Sequence, residues 1–121
     1  MKLFILAGEA SGDLHAGNLV KALSRHTSDL EVRAWGGEKL EDAGAQVLKH
    51  YKELAIIGFV EVLKKLPTIF KNFKTATKQV LEFQPDAVVL VDFSGFNLRW
   101  AKKLRKAGYK GKIFYYISPK L

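Results

Sequence analysis

The sequence predicts an α/β fold built on a doubly wound parallel sheet, and three observations carry the prediction. Short, nearly unbroken apolar runs such as Ala87 to Val91 have the composition of strands buried on both faces. Between them lie stretches whose apolar residues recur every three or four positions, the period of a helix packed on one side. The two kinds of segment alternate along the chain, as strand–helix–strand units with right-handed crossovers require.

Lys2 to Gly8 reads as the first strand, and Ala16, Leu19, Val20 and Leu23 then fall at helical spacing. Glu31 to Trp35 resembles a second strand closed by Gly36-Gly37. A short helical turn follows near Glu38 to Ala43, and Gln46 to Leu48 is a third strand. The pattern is helical from about Ile56 through Lys65. Pro67 then stands where a new helix would begin, since proline suits a first helical position. Ile69, Phe70, Phe73, Val80 and Leu81 carry that helix to Phe83, and Pro85 ends it. Ala87 to Val91 is the fourth strand, with Asp92 at its carboxyl end. Asn97 to Gly108 is a basic helix stopped by Gly108, and Lys112 to Ile117 is the last strand. No repeat, linker or low-complexity tract divides the chain, so residues 1–121 are expected to form a single domain.

At 121 residues, 48% hydrophobic and 26% charged, the chain has the composition of a globular domain and the length to bury a core. It has no cysteine, which removes disulfides and thiolate metal sites and suits a reducing compartment. The opening apolar run is too short for a signal peptide, and no stretch approaches the eighteen apolar residues of a membrane span. A cytoplasmic protein is therefore expected. Its formal net charge of +8 is uneven: residues 1–55 carry seven Lys/Arg against eight Asp/Glu, whereas residues 56–121 carry thirteen against four. A basic half of this kind meets nucleic acid, anionic lipid or an acidic substrate, or is simply a solvated surface.

In such sheets ligands bind at the carboxyl ends of the strands, where Gly8-Glu9-Ala10-Ser11-Gly12-Asp13 and Asp92 both fall. The opening loop has the position of a phosphate cradle but not its residues. Its glycines are four apart, no lysine follows, and Glu9 and Asp13 would repel a phosphate. No Gly-x-Ser-x-Gly elbow is present, and His15, His26 and His50 have neither the spacing nor the company of a metal site. No metal and no cofactor are expected.

Three motifs combine with the strand pattern: AGEASGD after the first strand, IIGFVEVLKKL in the middle, and VVLVDFSGFN across the fourth strand, followed by YYISP. In that order and spacing, over essentially the whole chain, they resemble the N-terminal part of the lipid-A-disaccharide synthase family. The resemblance implies a two-domain glycosyltransferase of the B type. It would join UDP-2,3-diacylglucosamine to 2,3-diacylglucosamine 1-phosphate with inversion, releasing UDP. It also implies that this chain is the Rossmann-like acceptor-side domain, that a donor-binding C-terminal domain lies outside it, and that the protein is peripheral on the inner face of the bacterial inner membrane. Where members commonly read Pro-Asp before Phe-Asn, this chain has Ser94-Gly95, so Asp92 lacks a second carboxylate close by in sequence. A stand-alone flavodoxin-like module holding a phosphorylated ligand without chemistry is the alternative.

Asp92 matches the family position of the general base, and an inverting transfer needs such a group to take the proton of the attacking 6-hydroxyl. Aspartate is equally a favoured helix N-cap. Glu9, Ser11, Gly12, Asp13 and Asn97 are the candidate substrate contacts. Against that, Ser11 or Asp13 could simply cap the first helix, with Gly12 permitting the turn. Ile57, Phe59, Val60, Val62, Leu63, Leu66, Ile69 and Phe70, continued by Phe73, are denser in apolar residues than one helix face needs. Interleaved with Lys64, Lys65, Lys71 and Lys74, they are the candidate membrane or acyl contact, with core packing as the other reading. Arg99, Lys102, Lys103, Arg105, Lys106, Lys110 and Lys112 form a second cluster. The aromatics near it occupy strand positions rather than exposed stacking platforms, so no nucleic-acid partner is expected.

Overall fold

The strands β1 (Lys2–Ala7), β2 (Glu31–Gly36), β3 (Gln46–His50), β4 (Ala87–Val91) and β5 (Lys112–Tyr116) form one sheet in the order β3-β2-β1-β4-β5. Every neighbouring pair is parallel. The structure is a computed structural model that describes residues 1–53, 66–91 and 94–116, and for 66–69 and 94–95 it describes the backbone alone. The helical reading of Ile56 to Lys65 lies outside the described residues.

The doubly wound parallel sheet is borne out, and its physical basis is the burial of the two central strands. All five residues of β4 are buried, as are five of the six in β1, so both faces need a helical cover. Helices α1 (Ala10–Ser24) and α2 (Glu38–Asp42) supply one side. There Ala16, Val20 and Leu40 pack on Leu3, Ile5, Ala7, Val32, Ala34, Val89 and Val91. Helices α3 (Leu66–Phe83) and α4 (Ser94–Lys106) supply the other. Phe73, Ala76, Val80 and Phe83, spaced three and four apart, meet Phe96, Trp100 and Leu104 over Phe4, Leu6, Trp35, Val88 and Leu90.

Polar side chains pin this second layer. Trp35 Nε1 donates to Gln79 Oε1 at 2.6 Å, Trp100 Nε1 to Thr77 Oγ1 at 3.0 Å, and Lys49 Nζ to Asn72 Oδ1 at 2.8 Å. At the amino edge, the Asp86 carboxylate accepts from the Lys2 backbone N–H at 2.8 Å and ties the start of β4 to that of β1.

The helix stops follow local chemistry. Gly108 has φ +101°, and its N–H donates to Arg105 C=O as the expected end of α4. At the end of α3 it is Gln84, φ 51°, that takes the left-handed conformation, immediately before Pro85. Two starts differ from the sequence reading. Helix α4 begins at Ser94, three residues before Asn97, and α1 begins at Ala10, so most of the supposed glycine loop is the first turn of a helix. Helical periodicity becomes visible only where apolar side chains face a core, and the first turn of α1 lacks large ones.

Close approach distinguishes the two buried glycines inside α1. A Cβ on Gly17 would lie 2.7 Å from the Lys39 carbonyl oxygen, whereas one on Gly12 would meet Ala7 and Val91 no nearer than 3.4 Å. Gly12 therefore serves the packing of α1 on the β1–β4 pair, not a turn as the sequence suggested. Gly17→Ala is expected to destabilise the fold by about 1–2 kcal/mol, although alanine is the better helix former by about 1 kcal/mol. Gly12→Ala should be neutral or stabilising. Urea-denaturation midpoints of the two variants check the contrast.

Candidate functional site

The crossover reverses direction between β1 and β4, whose carboxyl ends lie side by side because Ala7 pairs with Val91. From this edge β1 runs through Gly8 into α1, with Glu9 in the N-cap position in extended conformation (φ −145°, ψ 162°). The Glu9 side chain makes no capping hydrogen bond and is exposed, as is Ser11 in the first turn. A carboxylate at this end of a 15-residue helix lies in its favourable dipole field.

Asp13 behaves differently from both sequence readings. It is 2% exposed, and its carboxylate is turned toward the start of α2, where it accepts three backbone N–H groups. Oδ1 accepts from Gly37 at 2.8 Å and from Leu40 at 3.1 Å, and Oδ2 accepts from Lys39 at 3.0 Å. These are first-turn and preceding amides of α2, so Asp13 caps a neighbouring helix rather than its own. The Gly36-Gly37 pair makes this approach possible. A Cβ on Gly37 would stand 3.0 Å from Asp13 Oδ2 and would run into the Tyr51 ring, and one on Gly36 would run into Leu40. Of the two carboxylates that the sequence placed in the opening loop, only Glu9 is presented at its surface.

At the carboxyl end of β3 stands a pair the sequence reading missed. His50 Nε2 lies 3.1 Å from both Glu38 carboxylate oxygens, and Nδ1 accepts the Lys52 backbone N–H at 3.1 Å. With Nδ1 accepting, the ring proton sits on Nε2 and points at Glu38. The Glu38 carboxyl is held below its usual range, first by its backbone hydrogen bond and then by His50. The partners are twelve residues apart in different elements, so no local spacing announced them.

Asn97 is fully buried in the first turn of α4. Asp92 follows the last residue of β4 in the sequence and lies outside the described residues, as do Ile57, Phe59, Val60, Val62 and Leu63. Leu66 and Ile69 belong to the first turn of α3, whose side chains are likewise outside the description. Phe70 is 54% exposed, whereas Phe73, three residues on, is 4% exposed and packs in the core. That residue of the apolar run is therefore core, because the helical period turns it toward Phe96, whose ring lies 4.7 Å away between centroids. The second basic cluster is solvent-facing throughout: Arg99, Lys102, Lys103, Arg105, Lys106, Lys110 and Lys112 are all exposed. Among the described residues, no group of three or more His, Asp or Glu could hold a metal ion, and no helix is long and apolar enough to cross a membrane.

Removing Asp13 leaves three N–H groups without their acceptor, and Asp13→Ala is expected to cost about 3 kcal/mol or more. Asp13→Asn should fall between, since it keeps one acceptor oxygen but sets a donor against Lys39 N–H. Thermal melts of both variants check this ordering, and a melt unchanged in Asp13→Ala would remove the capping role.

Comparison with known proteins places this arrangement. The family model described as lipid-A-disaccharide synthetase matches residues 3–121. The chain is 39% identical over 120 residues, 99% of its length, to the lipid-A-disaccharide synthase of Trichlorobacter lovleyi. It is 40% identical over 118 residues to that of Myxococcus xanthus and 35% identical over 118 residues to that of Chlamydia pneumoniae. It spans 31%, 30% and 20% of the length of these three relatives.

Proposed function

The chain belongs to the lipid-A-disaccharide synthetase family, and from that premise we propose that it is the acceptor-side part of an inverting glycosyltransferase of lipid A biosynthesis. The observation that carries the proposal is the match over residues 3–121 together with 35–40% identity to named synthases across nearly the whole chain. In this reading the complete enzyme joins UDP-2,3-diacylglucosamine to 2,3-diacylglucosamine 1-phosphate. The acceptor 6-hydroxyl oxygen bonds to the anomeric carbon from the face opposite UDP, the bond from that carbon to the UDP oxygen breaks, and the hydroxyl proton passes to a base. The donor-binding part lies beyond these 121 residues.

Asp92 is the proposed base. A carboxylate directly after β4 would stand at the switch point, near the start of α1 that carries Glu9 and Ser11, where ligands of doubly wound sheets gather. Exposed Glu9 and Ser11 are the residues proposed to contact the acceptor sugar, and Asn97 in its buried position would steady the start of α4 beneath it. Asp13 shapes that edge indirectly, by fixing α2 to α1.

The substrates' acyl chains call for an apolar surface, and we assign it to the run from Ile57 to Phe70. Support comes from the 54% exposure of Phe70 and from Lys71 and Lys74, which are exposed beside it. Such a surface would hold the protein peripherally on the inner face of the inner membrane, with lysines at anionic headgroups and apolar side chains in the acyl boundary. No nucleic-acid partner is proposed.

Placed in a chain of full family length, Asp92→Asn is expected to lower kcat by about 10²–10⁴-fold with an unchanged melting temperature, because the amide keeps the shape but not the basicity. Turnover near wild type would end the assignment. Separately, the 121-residue chain is expected to bind vesicles only when they contain anionic lipid. That binding should weaken as salt rises, since exposed contacts are screened over about 10 Å at 0.1 M. Replacing Phe59, Leu66 and Phe70 by Ser should release the chain in a vesicle-sedimentation assay. Unfolding of that variant, with vesicle binding of the surviving fraction retained, would show the three to be core.

A further inference from the structure

The outer surface of the α3–α4 layer carries an open groove of about 850 Å³ that the proposed glycosyl transfer does not use. Its α3 wall consists of Phe70, Phe73, Lys74, Thr77, Lys78, Leu81 and Glu82, and its α4 wall of Lys103, Lys106 and Ala107. The α3 set steps by three and four residues as one continuous stripe, and Lys103, Lys106 and Ala107 stand at the end of α4. From Phe70 to Leu81 the groove follows α3 for about 16 Å at 1.5 Å per residue, or three turns.

The floor is apolar and the rims are basic. Phe70 and Leu81 are 54% and 38% exposed, large apolar side chains left open to solvent along the groove. Four lysines face one acid, Glu82, which is already 3.9 Å from Lys78. The Lys103 Nζ lies over the Phe70 and Phe73 rings, 5.7 and 5.9 Å from their centroids.

We propose that this groove docks an amphipathic helix of a partner protein, with its apolar stripe on Phe70, Leu81 and Ala107 and acidic residues on both flanks meeting Lys74, Lys103 and Lys106. The α3 stripe, flanked by the end of α4, offers a ridge and a groove to a third helix. The charge complementarity selects an acidic occupant and disfavours a second copy of this chain, whose matching face carries the same lysines. The docking surface lies along the flank of the sheet and leaves the carboxyl edge free.

The test uses the 121-residue chain and a fluorescein-labelled fourteen-residue helical peptide with leucines on one face and glutamates on the flanks, followed by anisotropy at low salt. Binding that weakens with added salt is expected, and a peptide with lysine flanks should not bind. Lys103→Glu with Lys106→Glu should weaken the acidic peptide by about tenfold or more and allow the lysine-flanked peptide to bind. Leu81→Asp, at a partly exposed position, should abolish binding while circular dichroism shows an intact fold. Failure of the acidic peptide to bind the folded chain would overturn the proposal, as would binding indifferent to these variants. Displacement of the peptide by submicellar dodecyl phosphate at lower concentration would identify an acyl amphiphile as the occupant instead. A dimer in sedimentation that Leu81→Asp dissolves would identify a second copy. Phe70 and Lys74 belong both to this groove and to the proposed membrane surface, whereas Leu81, Lys103 and Lys106 belong to the groove alone; loss of peptide binding in Leu81→Asp with vesicle binding retained separates the two readings.

Discussion

The burial of β1 and β4 on both faces is the constraint from which the rest of the structure follows. Two adjacent parallel strands without a solvent face can exist only between two helical layers, and the crossovers that make them parallel deliver α1 and α2 to one side and α3 and α4 to the other. The same pairing, Ala7 with Val91, aligns the ends of both strands at one edge. Helices cover the flanks, and the exits from the strands are left for chemistry.

Close packing on that pair then decides details that have no meaning in isolation. Helix α1 must approach the strands and α2 together, and Gly17, Gly36 and Gly37 are the places where side chains would intervene. The approach brings α2's amino-terminal amides within reach of Asp13, and a buried carboxylate is tolerable there because three N–H groups answer it. Asp13 thus converts an acidic residue of the opening loop into a structural cross-link and leaves Glu9 as the charge displayed at the edge.

The opposite layer is built on aromatic residues, with Trp35 and Trp100 fully buried and each nitrogen satisfied by a side chain of α3. Thr77 joins the two surfaces of that helix: its hydroxyl receives Trp100 beneath, and its side chain lines the basic groove above. Of the basic residues in the second half of the chain, which the sequence could assign only to some anionic encounter or to solvent, Lys74, Lys78, Lys103 and Lys106 line this groove.

The sequence by itself determined the strands and the helix type, because burial on both faces leaves an unbroken apolar run and burial on one leaves a three-and-four period. Ala87–Val91 and the span ending at Phe83 were legible for that reason, and the order of apolar runs and motifs was enough to indicate the family. Tertiary structure alone decided where α1 begins, since its first turn is too poor in large apolar residues to show a period. It alone decided what Asp13 does, for its partners lie 24 to 27 residues away. It also separated Phe70 from Phe73, paired His50 with Glu38, and set the α3 stripe beside the end of α4 to form a groove. Each of these depends on which surfaces the crossovers bring together, a relation between distant segments that no local pattern encodes.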